Sequence, residues 1–129
     1  MMRSRVLRRQ GGQTLAEFAI ILPVLLLILF AIVDLGRAVY AYSVVANCAR
    51  EGARFGQIST HTSAGIIAAV KNAAVGLNTE DMTIGVSQPT ADTIRVDVIY
   101  LFHPITPFID AILHGNLALQ SASTMYTGY

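Results

Sequence analysis

Charged residues are scarce in this chain, making up 13% of its 129 residues, whereas a soluble domain usually carries about 25%. Hydrophobic residues account for 53% of the sequence. One small domain has too little interior to hide so many apolar side chains. The composition therefore argues against a purely water-soluble protein and points to a lipid bilayer as the place for the excess.

Basic residues are also few in most of the chain. Residues 13–129 contain five basic and eight acidic residues, a net charge of −3. A surface that binds nucleic acid needs clustered cations, so we expect no nucleic acid among the partners. The remaining cations are concentrated at the N terminus: Arg3, Arg5, Arg8 and Arg9.

Sequence patterns of catalysis and metal binding are absent. The chain has no H-E-x-x-H, C-x-x-C, G-x-S-x-G, P-loop or dinucleotide-binding motif. Cys48 is the only cysteine, so it has no partner for an internal disulfide. Its helical setting among small residues favours a buried thiol. We expect no catalytic residue, no cofactor and no bound metal.

A long uncharged run occupies residues 18–33, FAIILPVLLLILFAIV. With residues 14–17 it gives about 20 residues, or roughly 30 Å of helix, which matches the hydrocarbon core of a membrane. The arginines precede it and Asp34 closes it, so the positive-inside rule places the N terminus in the cytoplasm and the rest outside. A secretory signal would have a shorter apolar region followed by a small-x-small cleavage site. Here Asp34, Leu35, Gly36 and Arg37 follow the run and the helical pattern continues without a break, so we expect no cut there.

Two residues are unusual for a simple membrane anchor. Pro23 removes one helix hydrogen bond and favours a kink. Glu17 places a carboxylate at the start of the apolar run, which is costly unless it lies at the interface or has a partner. Either Glu17 lies at the membrane interface and caps the helix N terminus, where the helix dipole favours a carboxylate, or it pairs with a positive group in an assembly.

Residues 9–18, RQGGQTLAEF, resemble the processing site of a type IV-like prepilin. The resemblance implies that a prepilin peptidase cuts after Gly12, which makes Gln13 the new N terminus and Glu17 the fifth residue. A cut after Gly11 would make Glu17 the sixth. The new α-amine has a pKa of about 7.7–8 and is mostly protonated at neutral pH, so it is a candidate partner for Glu17. The resemblance implies that this glutamate acts in assembly.

Three further blocks resemble the TadE-like family, whose members are minor pilins or pseudopilins of the tight-adherence (Flp) type IV-like pilus system. They are residues 17–23, 34–38 and 49–54, and the resemblance covers about residues 10–57. It implies a bacterial inner-membrane protein that reaches the cell surface if it is assembled into a pilus. The implied partners are other pilin subunits, the prepilin peptidase, the pilus assembly platform in the inner membrane and the lipid bilayer.

The helical pattern continues past the apolar run to about residue 57, giving roughly 65 Å of helix, which a domain of this size cannot bury alone. Small residues spaced by three or four allow another helix to approach closely. Two charge pairs, Asp34–Arg37 and Glu51–Arg54, either face solvent or contact neighbouring subunits. We assign to helix packing Pro23, Gly36, Arg37, Gly52 and Arg54.

The remaining sequence predicts a small α+β head. Thr62 or Ser63 caps a helix over residues 64–75. Alternating apolar residues then predict an antiparallel sheet of three strands, and residues 108–113 suit either a short helix or an apolar loop. The strands are Met82–Ser87, Thr93–Phe102 and residues 117–125. We divide the chain into a basic leader (1–12), a transmembrane and continuing pilin-type helix (13–57) and an extracytoplasmic head (58–129).

Four functions fit these features. The first is a minor pilin or pseudopilin, processed by a prepilin peptidase and assembled through its N-terminal helix. The chain is otherwise the main subunit of a filament, or an unprocessed single-pass accessory subunit of another membrane complex. A hydrolase or binding protein tethered by the helix would need a pocket with convergent polar groups, for which the sequence offers few candidates.

Overall fold

The computed structural model describes residues 11–58 and 62–127, in which one long helix carries a small α+β head. The predicted architecture is confirmed. Residues 108–113, which suited either a helix or a loop, lie in a short helix. Residues 1–10 of the predicted leader, with its four arginines, lie outside the described residues. In chain order the elements are α1 (Gly11–Gly56), α2 (Ser63–Ala73), a 3₁₀ turn (Thr79–Asp81), β1 (Met82–Ser87), β2 (Thr93–Phe102), α3 (Pro107–Leu113) and β3 (Leu117–Tyr126).

Helix α1 has 46 residues, which corresponds to a length of about 69 Å. Apolar and small residues sustain the helix, and Pro23 lies inside it. Because proline has no N–H, it cannot donate the hydrogen bond that the carbonyl of Ala19 would otherwise accept. The helix nevertheless continues through this position into the head.

The three strands form an antiparallel sheet in the order β1-β2-β3, with β2 in the centre. Val96 lies opposite Val86 on β1 and Ser123 on β3. The alternation predicted for β2 is confirmed, because Ile94, Val96 and Val98 are buried and the residues between them are more exposed. One face of the sheet therefore covers the core and the other faces outward.

Local signals fix the ends of α2. The side chain of Thr62 accepts a hydrogen bond from the backbone N–H of Gly65 at 3.2 Å, which is the predicted N-cap. After the helix, Gly76 adopts a φ of +74°, which glycine tolerates better than other residues. These two signals let α2 lie back against α1 and present Ile66 and Val70 to the core.

The core lies between α1, α2 and the inner face of the sheet. Cys48 is fully buried in it, as the sequence predicts. The members contributed by α1 recur at intervals of three and four, which is the period of one helix face. The buried core residues are Val45, Cys48, Ala49, Ala53, Ile66, Val70, Ala74, Met82, Ile94, Val96 and Val98.

Candidate functional site

Residues 12–33 of α1, which we call the exposed arm, extend away from the head. Every side chain in the arm is exposed except that of Ala31, which is partly covered. The described part of the chain contains one helix long and apolar enough to cross a membrane, and 6% of its most apolar window is buried. A core helix of a soluble protein would be mostly covered, so the arm has an apolar surface that the head does not use.

The predicted processing and assembly residues lie at the free end of this arm. Gly12 has no neighbouring atom within 4 Å of where a Cβ would be placed. The side-chain amide of the next residue, Gln13, donates a hydrogen bond at 3.2 Å to the carboxylate of Glu17, which lies one helical turn further on. All three residues are exposed, so a peptidase or another subunit has free access to them.

The residues assigned to helix packing have different surroundings. A Cβ added to Gly52 would overlap Val70 of α2 and lie 3.2 Å from Val96 of β2, so Gly52 packs within its own chain. Gly36 has open space at the same test position, and Pro23 is exposed on the arm. Another helix does approach Gly52 closely, but it is α2 of the same chain.

Arg54, assigned to the same set, is an exposed residue at the far end of α1. Its guanidinium lies 3.8 Å from the carboxylate of Glu51, and both side chains face solvent. The predicted pairing of these two charges is confirmed. Exposed pairs at this spacing contribute little to stability, about 0.5 kcal/mol or less.

Asp34, the first residue after the apolar run, holds the base of the head. Its Oδ1 and Oδ2 each accept a hydrogen bond from the N–H of Ile105 at 3.0 Å, and Oδ2 accepts another from the N–H of Thr106 at 2.7 Å. Asp34 is only 2% exposed. The residues joined here are 71 and 72 positions apart in the chain, so the carboxylate fixes the loop after β2 to the end of the exposed arm.

Arg37 completes this junction one helical turn away. Its Nη1 donates to Asp34 Oδ1 at 2.9 Å, as the sequence spacing predicts. The guanidinium also lies 5.2 Å from the centre of the Phe102 ring, at the end of β2. The cation therefore neutralises the buried carboxylate and packs against an aromatic side chain of the head.

The pKa of Asp34 reflects this balance of burial and hydrogen bonding. Burial opposes the charged form, but hydrogen bonds from Thr106, Ile105 and Arg37 outweigh it and lower the pKa from 3.8 to about 2. We assign most of the lowering to the two backbone amides and Arg37, because the buried Thr106 hydroxyl has no hydrogen-bond partner of good geometry. Asp34 is consequently an anion at neutral pH.

Sequence reasoning missed the role of Asp34, which it treated as a solvent-facing charge or a contact with another subunit. Asp34 lies 7 residues before Ala41 and 11 before Val45, both buried. That spacing puts the three residues on one face of the helix. A carboxylate on the buried stripe would have indicated a hydrogen-bonded anion, but its partner loop is not identifiable from spacing.

Two more polar contacts hold α1 to the head beyond the junction. The hydroxyl of Tyr40 donates to the carbonyl of Val75 at 3.1 Å, after α2. At the far end, Nε2 of Gln57 donates to the carbonyl of Tyr126 at 3.0 Å. The helix is therefore tied to the head at three successive levels, and the exposed arm begins where these contacts end.

Within residues 11–58 and 62–127, no three His, Cys, Asp or Glu side chains come together in a way that would hold a metal ion. The charged groups brought closest are the ion pairs of Asp34 with Arg37 and Asp97 with Arg95, each at 2.9 Å. Both are satisfied by their own partners.

Comparison with known proteins adds one match. Residues 12–54 match the family model described as "TadE-like protein". This confirms, over one third of the chain, the resemblance drawn from the sequence to a family associated with the tight-adherence pilus. Neither a curated protein nor a solved structure gives a significant match. The matched segment joins the exposed arm to most of the α1 surface that packs on the head.

Proposed function

We propose that this chain, whose residues 12–54 match the TadE-like family, is a minor pilin or pseudopilin of a tight-adherence pilus. Its exposed arm anchors the precursor in the bacterial inner membrane, with the N terminus in the cytoplasm and the head outside. It then joins other pilus subunits through the same helix. The observation that carries the proposal is the exposed arm itself, a run of apolar helix that the head leaves uncovered.

The precursor is cut by a prepilin peptidase between Gly12 and Gln13. The peptide bond lies in the first turn of α1, at an exposed end where Gly11 and Gly12 are adjacent. Two glycines weaken a helix by about 1 kcal/mol each relative to alanine, so this turn opens at small cost to present an extended backbone to the peptidase. Because the cut precedes the apolar run, the mature protein keeps its membrane anchor.

Glu17 pairs with an α-amine after processing. In the precursor its carboxylate accepts a hydrogen bond from the Gln13 side chain, and no cation is paired with it among the described residues. Cutting after Gly12 creates a positive group one helical turn away, on the same chain or on the next subunit. A charge pair in an apolar filament specifies register because a misplaced carboxylate would remain buried and unpaired.

The proposal is tested by replacing Glu17 and following the protein from membrane to fibre. Glu17→Val removes the carboxylate, and Glu17→Gln keeps the size while removing the charge. Glu80→Gln is the matched control, because Glu80 is an exposed glutamate on the head. We expect all three variants to insert in membranes, and both Glu17 variants to be depleted from the sheared surface fraction on immunoblots.

Normal recovery of Glu17→Val in the sheared fibres would contradict the pairing role of Glu17. Loss of the Glu80→Gln control from the same fraction would show that removing any acidic residue disturbs export, and would remove the support for Glu17 in particular.

A further inference from the structure

The rim of the head nearest the exposed arm carries apolar side chains that the core does not use. Ile105 is 63% exposed and Ile112 is 59% exposed. Ile105 lies just before α3, and Ile112 lies in its last turn; α3 connects β2 to β3. We call the segment formed by residues 103–116 the basal rim.

The basal rim is held at a fixed height along α1. The Asp34 carboxylate receives the N–H groups of Ile105 and Thr106 at 2.7–3.0 Å. Asp34 immediately follows the apolar run of residues 18–33. Ile105 is therefore at the level where the arm changes from apolar to polar sequence.

The rim also reaches back beside the arm. An apolar groove of about 180 Å³ is lined by Ala31 and Leu35 of α1 together with Pro104 and Ile109 of the rim. Ala31 lies three residues before Asp34, about 4.5 Å nearer the middle of the apolar run. Pro104 and Ile109 of the rim thus share an apolar groove with Ala31 of the exposed arm, and Ile105 and Ile112 belong to the same rim segment.

The charged residues of the basal rim indicate which kind of surface it contacts. Residues 103–116 contain no lysine or arginine, one aspartate (Asp110) and two histidines (His103 and His114), and the cation at the junction, Arg37, is paired with Asp34. Attraction to anionic lipid headgroups needs exposed basic residues, so it does not operate here. Exposed isoleucines beside a helix of membrane length suit the boundary between headgroups and acyl chains.

We propose that the basal rim is a second membrane contact, in which Ile105 and Ile112 enter the leaflet on the side of the head. This inference rests on the proposed membrane anchoring of the exposed arm. The contact sets the angle of the head to the membrane, because Asp34 and Arg37 fix the rim to α1 while the two isoleucines rest in lipid. Release from the membrane during assembly then exposes the rim and the arm together.

The chain contains no tryptophan, so a single introduced tryptophan reports its own depth. The full chain is reconstituted in phosphatidylcholine vesicles with and without bromine on the acyl chains, which quenches indole fluorescence on contact. Ile105→Trp and Ile112→Trp test the rim. Ile58→Trp is the matched control, because Ile58 is also an exposed isoleucine (49%) but follows the far end of α1. Leu26→Trp, in the middle of the apolar run, reports insertion of the arm.

We expect the Ile105→Trp and Ile112→Trp proteins to lose much of their emission in brominated vesicles, and the Ile58→Trp protein to lose none. Quenching of Leu26→Trp with no quenching at either rim position would overturn the rim contact while leaving the membrane anchor intact. Absence of quenching at Leu26→Trp itself would contradict the anchor.

A second copy of the chain is the competing occupant of the rim. Burial by another copy would shift the Ile105→Trp emission to shorter wavelength without quenching by brominated lipid, and the shift would disappear on dilution of protein in the vesicles. That result would overturn the lipid contact. Quenching that is unchanged by dilution or by added anionic lipid supports it.

Discussion

The two halves of α1 differ in the size of their apolar side chains. The exposed arm, residues 12–33, is built mainly from Leu, Ile, Val and Phe, which no other part of the chain described by the structure covers. The half that packs on the head, residues 34–56, buries Ala, Gly, Cys and Val. Small side chains let α1 approach α2 and the sheet closely, while large ones provide apolar area for partners outside the chain. Within one helix, small side chains thus serve the folding of the head and large side chains serve contacts outside the chain.

Gly52 and Gly36 give the strongest test of this comparison, because they lie on the same helix with opposite surroundings. A side chain at Gly52 would overlap Val70, whereas Gly36 has no atom within 4 Å of the corresponding position. We expect Gly52→Leu to destabilise the head by about 3 kcal/mol, the upper end of the usual cost of overpacking. Gly36→Leu should leave it unchanged or stabilise it by up to about 1 kcal/mol through helix propensity.

Denaturant unfolding of both variants in mild detergent measures this difference. Equal stability of the two variants would contradict the packing of Gly52 on α2. If Gly36→Leu folds normally but fails to enter fibres, Gly36 contacts a neighbouring subunit, and the boundary between the two halves of α1 extends into the packed half.

Asp34 tests the point where the two halves meet. Asp34→Ala leaves the N–H groups of Ile105 and Thr106 without their acceptor. We expect a loss of about 2–3 kcal/mol in the free energy of unfolding, because hydrogen bonds to a charged group are stronger than neutral ones. Hydrogen exchange should also become faster at the amides of Ile105 and Thr106. Unchanged exchange at these two amides would contradict the junction.

The same carboxylate predicts a dependence on pH. Its folded-state pKa of about 2 lies below the ordinary 3.8, so the stability it provides is complete above about pH 5 and is lost as the pH falls through 3.8 towards 2. The Asp34→Asn variant should lack that part of the acid loss. Asp97→Asn is the control: hydrogen bonding to Arg95 lowers the pKa of Asp97 as well, but this pair lies on the outer face of the sheet. An acid loss identical in wild type and Asp34→Asn would argue against the assignment.

The smallest effect is expected on the exposed arm. Leu26 is 40% exposed and contacts no part of the head core. Leu26→Ala should change the unfolding free energy of the head by less than about 0.5 kcal/mol, as surface substitutions usually do. A loss of 2 kcal/mol or more, the size that a buried leucine gives, would show that the arm packs on the head.

The sequence predicted the elements of this fold well because their signals are local. Alternation in β2, the Thr62 cap and the apolar period of α1 each depend on residues a few positions apart. The junction depends on Asp34 meeting a loop 71 residues later, which no local pattern encodes. Gly52 was identified as a packing residue, yet its partner on α2 became clear only with the tertiary structure. Gly12 and Glu17 are exposed in the structure, and their roles remain predictions.

In the proposed function, the exposed arm is the N-terminal segment of a mature pilin-type protein. The most direct measurement is the intact mass and N-terminal sequence of the protein isolated from its native membrane or sheared surface fraction. We expect a chain that begins at Gln13. A chain that still begins at Met1 or Met2 would contradict processing, and would make an unprocessed single-pass subunit of another membrane complex the better description.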